Sequence, residues 1–168
     1  MASKQGITKV KIRTVDTYVV VLAISTFHRL CIDYLLIDFG TGKNRKLYML
    51  STKFIPKLVR IKQKQFLFFH AFTGCDQVSY FNSIGKEKAW NTWMAMDSMT
   101  GVFKVLSKQP SLQNVQDSME MISRYTVVMY NRTSNSANVN EARRSLFVED
   151  GKDLDSIPPK ESALFSAC

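Results

Sequence analysis

Residues 67–93 read LFFHAFTGCDQVSYFNSIGKEKAWNTW, and the predicted fold is built outward from them. The opening LFFHAF is almost continuously apolar, which predicts a buried helix, and Thr73-Gly74 ends it. A carboxylate, Asp76, comes directly afterwards. Ser83-Ile84-Gly85 then predicts a tight turn into a second helix that begins at Lys86. Because the first N–H groups of a helix and flanking lysines attract anions, this segment predicts a phosphate-binding helix.

The sequence pattern near the N-terminus predicts strands. Residues 9–15 alternate apolar with polar side chains, which is the period of a strand. Asp16 can cap the next segment, and residues 18–24 favour a buried helix or, with three consecutive valines, a second strand. Two short apolar runs, 34–38 and 47–50, flank a basic turn rich in glycine and therefore predict a hairpin.

Helices dominate the prediction for the back of the chain. A helix capped by Ser51 or Thr52 carries several cations, and further helices are expected near residues 99–106, at 111–130, and from Asn138 or Asn140 through Phe147. Residues 148–162 are acidic and contain two prolines, which predicts a mobile tail anchored at Leu154 or Ile157. The expected fold is therefore α/β, with a small, mainly parallel sheet, a hairpin and a helical C-terminal half. We expect residues 1–130 to form the domain and residues 131–168 to form a loop, a short helix and the tail.

Positive charge is concentrated at the front of the chain. The protein has 168 residues, 45% of them hydrophobic, which is enough for one core, and its net charge is +9. Residues 1–108 hold 17 lysines and arginines against 6 acidic residues, whereas residues 109–168 hold 6 against 8. A basic surface attracts polyanions, among which nucleic acid is the commonest inside cells. The alternative is that the lysines serve only solubility.

Other classes of protein are disfavoured by the sequence. The longest apolar stretch, Tyr18 to Ile24, is far shorter than the roughly 20 residues of a membrane span. The first five residues are polar and do not resemble a secretory leader. Cys31, Cys75 and Cys168 are too scattered for a disulfide scaffold or a thiolate zinc site. We therefore expect an intracellular protein without a membrane partner, with the nucleus among its locations.

Several motifs carry a family resemblance. TGCD and then SIGK with an alanine-tryptophan pair resemble the part of PIN-like and flap-endonuclease-type nucleases where a metal-binding aspartate precedes a helix-turn-helix that grips the DNA backbone. Together with TVDT, LIDFGTGKNRK, FFHAFTGCD and VNEARRSLF, they also resemble a group of uncharacterised, repetitive, transposon-associated animal proteins. This second resemblance spans most of residues 10 to 160.

The resemblance implies a metal site that is incomplete here. Metal-dependent cleavage of a phosphodiester needs several carboxylates around Mg²⁺ or Mn²⁺. The resemblance places Asp16 and Asp76 as ligands, but Tyr18 stands where similar sequences have a second acid, and the first acidic strand and helix of such domains would precede residue 1. We therefore assign no catalytic residue and expect a truncated PIN-like domain that does not cleave.

The expected function is binding to the phosphate backbone of DNA or RNA through a basic helix-turn-helix. The residues expected to contact phosphate are Gly85, Lys86 and Lys88, together with a basic face made of Lys57, Arg60, Lys62 and Lys64. One alternative is an active magnesium-dependent endonuclease or exonuclease that uses Asp16 and Asp76. Another is a non-catalytic protein-interaction module or a decayed mobile-element product.

Overall fold

A computed structural model describes residues 6–51, 62, 64–74, 81–148 and 151–168. The chain forms two compact units, Met1–Leu67 and Phe68–Cys168, which we call the N-terminal and C-terminal units. The fold is α/β, as predicted, with one small sheet in the described residues. The basic helix expected at residues 52–61 lies outside the described residues.

The N-terminal unit contains a three-stranded sheet in the order β1-β2-β3. Its strands are β1 (Lys9–Thr14), β2 (Tyr34–Phe39) and β3 (Lys46–Ser51). β1 pairs with β2 in parallel, and β3 returns antiparallel to β2. The predicted hairpin is therefore confirmed, and the sheet is mixed, with one parallel and one antiparallel pair.

Helix α1 (Thr17–Thr26) connects the two parallel strands and packs on one face of the sheet. The core of this unit consists of Ala23, Phe27, Ile32, Leu35 and Ile37. Residues 18–24, for which the sequence allowed a helix or a strand, are part of α1, and a side chain caps this helix. The Asp16 carboxylate accepts a hydrogen bond of 2.7 Å from the Tyr18 amide, which satisfies one N–H group at the start of the helix.

The C-terminal unit is helical. Its helices are α2 (Phe66–Phe72), which starts at the boundary between the units, α3 (Lys86–Ala95), α4 (Ser98–Lys108), α5 (Leu112–Tyr130), α6 (Val139–Val148) and α7 (Glu161–Ala167). The predicted starts of α3, α5 and α6 agree with the structure. At the start of α5, Ser111 accepts a hydrogen bond of 3.2 Å from the Asn114 amide. None of the described helices is both long and apolar enough to cross a bilayer.

An aromatic cluster holds α3 in place. Trp93 has no exposed surface, and its ring centroid lies 5.1 Å from that of Phe69 and 5.0 Å from that of Phe103. Tyr125 of α5 joins the cluster by an edge-on contact with Phe103. Aromatic pairs of this kind contribute about 0.5–1.5 kcal/mol each beyond the area that they bury. The helix that carries the candidate site is thus anchored to α4 and α5.

The segment from residue 151 onward, which the sequence predicts as an acidic tail, makes specific contacts with the C-terminal unit. Ile157 is buried, as predicted, but Leu154 is 66% exposed, and an additional helix, α7, buries Leu164. The Arg143 guanidinium donates a hydrogen bond to the Pro158 carbonyl, which ties the segment to α6. The sequence did not predict α7 or the arginine contact, because one buried leucine and one long-range hydrogen bond give no periodic pattern.

Candidate nucleic-acid interface

The start of α3 is the predicted phosphate-binding helix, and it begins where expected. Gly85 is the N-cap residue, with extended backbone, and it has no side chain with which to cap the first turn. An α-helix leaves its first four N–H groups without a partner inside the helix, and its aligned dipoles place partial positive charge there. α3 therefore presents donor groups and positive potential at this end.

A cleft of about 420 Å³ lies against this helix start. Its lining residues are Gly85, Glu87, Lys88, Asn91, Thr92 and Arg132. Lys88 and Arg132 are both exposed, and Glu87 contributes the opposing charge. The two cations exceed the one carboxylate, so the formal charge of the lining favours an anion. We call this feature the α3 cleft.

Lys86 has an internal role instead of facing the cleft. Its ammonium group donates to the His70 carbonyl at 3.3 Å, to the Thr73 hydroxyl at 3.1 Å and to the Gly74 carbonyl. These acceptors lie at the C-terminal end of α2 and just beyond it, where carbonyls lack partners within the helix and negative partial charge accumulates. Lys86 therefore fastens the start of α3 to the end of α2. That Lys86 contacts phosphate stays a prediction, and such a contact would require the loss of these hydrogen bonds.

Two tyrosines of α5 fix the backbone around the cleft. The Tyr125 hydroxyl donates to the Ala89 carbonyl in α3 at 2.7 Å, and the Tyr130 hydroxyl donates to the Asn82 carbonyl in the preceding turn at 2.8 Å. Burial raises the pKa of Tyr130 to about 12 and also raises the pKa of Tyr125 above its usual value. Both hydroxyls therefore stay protonated, and remain donors, throughout the physiological pH range.

The turn before α3 contains a strained residue. Ser83 has a φ of 61°, in the left-handed region that non-glycine residues rarely occupy. Such a conformation costs about 1–3 kcal/mol and persists where the surrounding structure imposes it. Here the Tyr130 hydroxyl bonds to the carbonyl of the adjacent residue, Asn82, and so constrains the turn that precedes the helix start.

The other predicted phosphate contacts divide into three groups. Lys88 is exposed at the cleft, and Lys64 is exposed in the N-terminal unit. Lys62 is fully buried, so it is not part of an exposed basic face. Lys57 and Arg60 lie outside the described residues. A basic face formed by residues 57–64 therefore stays a prediction, without Lys62 as an exposed member.

The predicted metal pair is visible only in part. Asp16 is exposed, and one of its oxygens caps α1. Asp76 lies outside the described residues, so its distance from Asp16 is not defined. Among the residues that the structure describes, no group of three or more histidine, cysteine, aspartate and glutamate side chains is arranged to hold a metal ion. The expectation of Mg²⁺ or Mn²⁺ stays a prediction.

Sequence reasoning missed six residues of this site. Glu87, Asn91, Thr92 and Arg132 line the cleft, and Tyr125 and Tyr130 hold its backbone. Arg132 could have been noticed as a single cation in an otherwise neutral stretch rich in asparagine and serine. The tyrosines gave no such indication, because their spacing along α5 resembles that of ordinary core residues.

Comparisons with known proteins identify no relative. No protein-family model matches the chain, and neither the curated proteins nor the solved structures contain a match. The resemblance to PIN-like nucleases accordingly stays a prediction from the motifs.

Proposed function

We propose that this chain is a nuclease-derived domain that binds the phosphate backbone of DNA or RNA and lacks competent cleavage. The observation that carries the binding proposal is the α3 cleft, where two exposed cations flank the glycine-capped start of a helix. The resemblance of the TGCD and SIGK motifs to PIN-like nucleases supports the proposed origin.

The chemistry of the cleft suits a phosphate group. The helix start offers backbone N–H donors, Lys88 offers a mobile point charge, and Arg132 offers a planar fork of donors that can engage two phosphate oxygens. These contacts recognise charge and shape and do not touch base edges, so binding is expected to tolerate any sequence. Glu87 opposes the anion, which keeps affinity modest. Because the contacts are to phosphate, binding is also expected to weaken with salt.

Lys86 and the two tyrosines act as positioning residues. They hold the backbone of the turn and of α3 through contacts to carbonyl groups, so the N–H donors are fixed before an anion arrives. A site that is ordered in advance loses less conformational entropy on binding. Lys88 and Arg132 thus contact the phosphate in this proposal. Lys86, Tyr125 and Tyr130 position the backbone that surrounds it.

The proposal that cleavage is impaired rests on the small number of acids in the expected places. One Asp16 oxygen is committed to capping α1, and the position two residues on is Tyr18. The test is an assay of single-stranded and branched DNA and RNA with Mg²⁺ or Mn²⁺. No cleavage is expected. Metal-dependent cleavage by the native chain that disappears in Asp76→Asn would overturn this part of the proposal.

Binding is tested with a double variant, Lys88→Gln with Arg132→Gln, titrated against a labelled DNA duplex. Two lost phosphate contacts should reduce the slope of log affinity against log salt by about 1.8. Native affinity should therefore fall about 10-fold more than that of the variant between about 50 and 200 mM salt. A matched control, Lys104→Gln with Lys108→Gln, removes the same charge from the exposed surface of α4. Equal losses in the two variants, or no loss in either, would contradict the proposed site.

A further inference from the structure

The two units carry very different charge. Residues 1–67 hold 13 lysines and arginines against 3 acidic residues, whereas residues 68–168 hold 10 against 11. Long-range attraction of a polyanion must therefore come mainly from the N-terminal unit, although the α3 cleft belongs to the other one. In the described part of the N-terminal unit, the exposed surface of the sheet carries much of this charge.

One face of the sheet presents a regular row of cations. α1 packs on the face that carries Leu35 and Ile37. On the opposite face, β1 presents Lys9, Lys11 and Arg13, all exposed. Alternate residues of a strand lie about 6.6 Å apart on one face. This spacing is close to the separation of neighbouring phosphates along a single nucleic-acid strand. We call these three residues the β1 cation row.

Asp38 holds part of this row in a fixed arrangement. It is 4% exposed, and its carboxylate contacts Lys11 at 3.1 Å, Arg13 at 3.4 Å and Arg45, whose Nε lies 3.0 Å from the other oxygen. Hydrogen bonds from Arg45 and Lys11 hold the pKa of this carboxyl well below its usual range. Three cations around one carboxylate leave an excess of two positive charges. Each guanidinium also has more donors than the carboxylate can accept.

Apolar side chains lie across the sheet from the cation row. The strand register places Leu36 beside Lys11, and Met49 beside Leu36. Met49 is 63% exposed and Leu47, on the same face, is 61% exposed. Tyr34 lies next to Lys9, whose ammonium is 5.5 Å from the centre of the tyrosine ring. A ligand that covers this face must therefore offer anions on one side and apolar surface on the other.

We propose that this sheet face binds a single strand of nucleic acid, with phosphates along the β1 cation row and bases over Tyr34, Leu36 and Met49. A single strand supplies both the charges and the exposed base faces. A duplex hides its base faces by stacking and would leave Leu47 and Met49 against polar groups. This surface shares no residue with the α3 cleft and does not require it. DNA and RNA share the chemistry, so the test includes both.

The experiment titrates the full chain with labelled oligo(dT) and oligo(U) of about 15 nucleotides. The variant Lys9→Gln/Lys11→Gln/Arg13→Gln is compared with Lys104→Gln/Lys108→Gln/Lys160→Gln, which removes the same charge from exposed positions of the C-terminal unit. Three lost contacts should reduce the salt slope by about 2. Native affinity should then fall about 20-fold more than that of the β1 variant between about 50 and 200 mM salt.

A second variant guards against misfolding of the first. Leu47→Ser/Met49→Ser changes exposed side chains only, and it should weaken binding of both oligonucleotides while leaving the salt slope unchanged, because no phosphate contact is lost. In a Lys88→Gln/Arg132→Gln background, the two sheet variants should weaken oligonucleotide binding by the same factors as in the native chain, so failure at one surface is distinguishable from failure at the other. Three results would overturn the proposal: no weakening in either sheet variant, equal weakening in the charge control, or tighter binding of poly-glutamate than of both oligonucleotides.

Discussion

Replacing Lys86 by methionine separates a structural lysine from a ligand-binding one. Methionine keeps an unbranched side chain of similar length but has no donor, so the His70 and Gly74 carbonyls and the Thr73 hydroxyl each lose a hydrogen-bond partner. If Lys86 caps α2, this substitution destabilises the C-terminal unit. If Lys86 instead served mainly to contact phosphate, stability would change little and binding would fall.

The contacts of Lys86 indicate the size of the effect. Hydrogen bonds that involve a charged group contribute about 1.5–3 kcal/mol each to stability. Lys86 is half-buried, so water can replace part of the lost interaction, and the three bonds share one ammonium group. We therefore expect a loss of about 2 kcal/mol in the free energy of unfolding. With a denaturant dependence of about 2 kcal/mol per molar urea, the midpoint should fall by about 1 M.

Tryptophan fluorescence during urea unfolding reports this change directly. The chain has 2 tryptophans, Trp90 and Trp93, and both lie in α3, so the signal follows the C-terminal unit. The matched control is Lys88→Met, two residues along the same helix and exposed, which should change the free energy of unfolding by less than about 0.5 kcal/mol. Duplex binding should show the reverse order, with the larger loss in Lys88→Met.

The interpretation that Lys86 caps α2 predicts a specific result in both measurements. An unchanged midpoint in Lys86→Met, together with a loss of duplex affinity as large as that of Lys88→Met, would refute it. A lower midpoint in both variants would instead show that the first turn of α3 as a whole is sensitive to charge removal. Only a loss of stability confined to Lys86 agrees with the contacts seen in the structure.

Three further substitutions test other contacts in the structure. Ser83→Gly should raise the melting temperature, with a gain of up to about 1 kcal/mol, because glycine relieves the left-handed strain; a lower melting temperature would contradict this. Tyr130 has a folded pKa of about 12, above an unfolded value near 10, so its contribution is complete below about pH 10 and lost as pH rises toward 12. Tyr130→Phe should therefore unfold at a lower urea concentration at pH 7. Its free energy of unfolding, followed by fluorescence, should fall less steeply above about pH 10 than that of the native chain, and an equally steep fall would refute the raised pKa of Tyr130. Asp16→Ala should cost about 1 kcal/mol of stability by circular dichroism whereas Asp16→Asn should cost little, because both aspartate and asparagine cap helices; equal costs would argue against the cap.

Local patterns were enough to predict most elements of the fold. The period of two in β1, the glycine-rich turn of the hairpin and the cap at Asp16 all act within a few residues of the segments that they define. Such features can be recognised without knowing the neighbours of a segment in space. The same applies to the turn before α3, where Gly85 and the helix after it were located from the sequence.

The details of the candidate site depended on contacts between distant residues and could not be predicted in this way. The Tyr125 hydroxyl reaches Ala89 across 36 residues, and the Tyr130 hydroxyl reaches Asn82 across 48. α7 has the same character, because its burial depends on a surface formed elsewhere in the C-terminal unit. Sequence patterns therefore located the helix start but did not show which contacts hold it or which arginine lies beside it.

The lysines and arginines illustrate this limit, because their function depends on whether an internal acceptor already uses their donors. The ammonium of Lys86 is committed to the end of α2, and Arg45 is committed to Asp38. Lys88, Arg132 and Lys9, by contrast, are exposed at a cleft or on a sheet face where an incoming phosphate would increase the number of their hydrogen bonds. A basic stretch in a sequence contains both kinds of cation, and the sequence does not distinguish them. Because removal of the first kind lowers stability and removal of the second lowers binding and its salt dependence, paired measurements on matched variants can separate them where composition cannot.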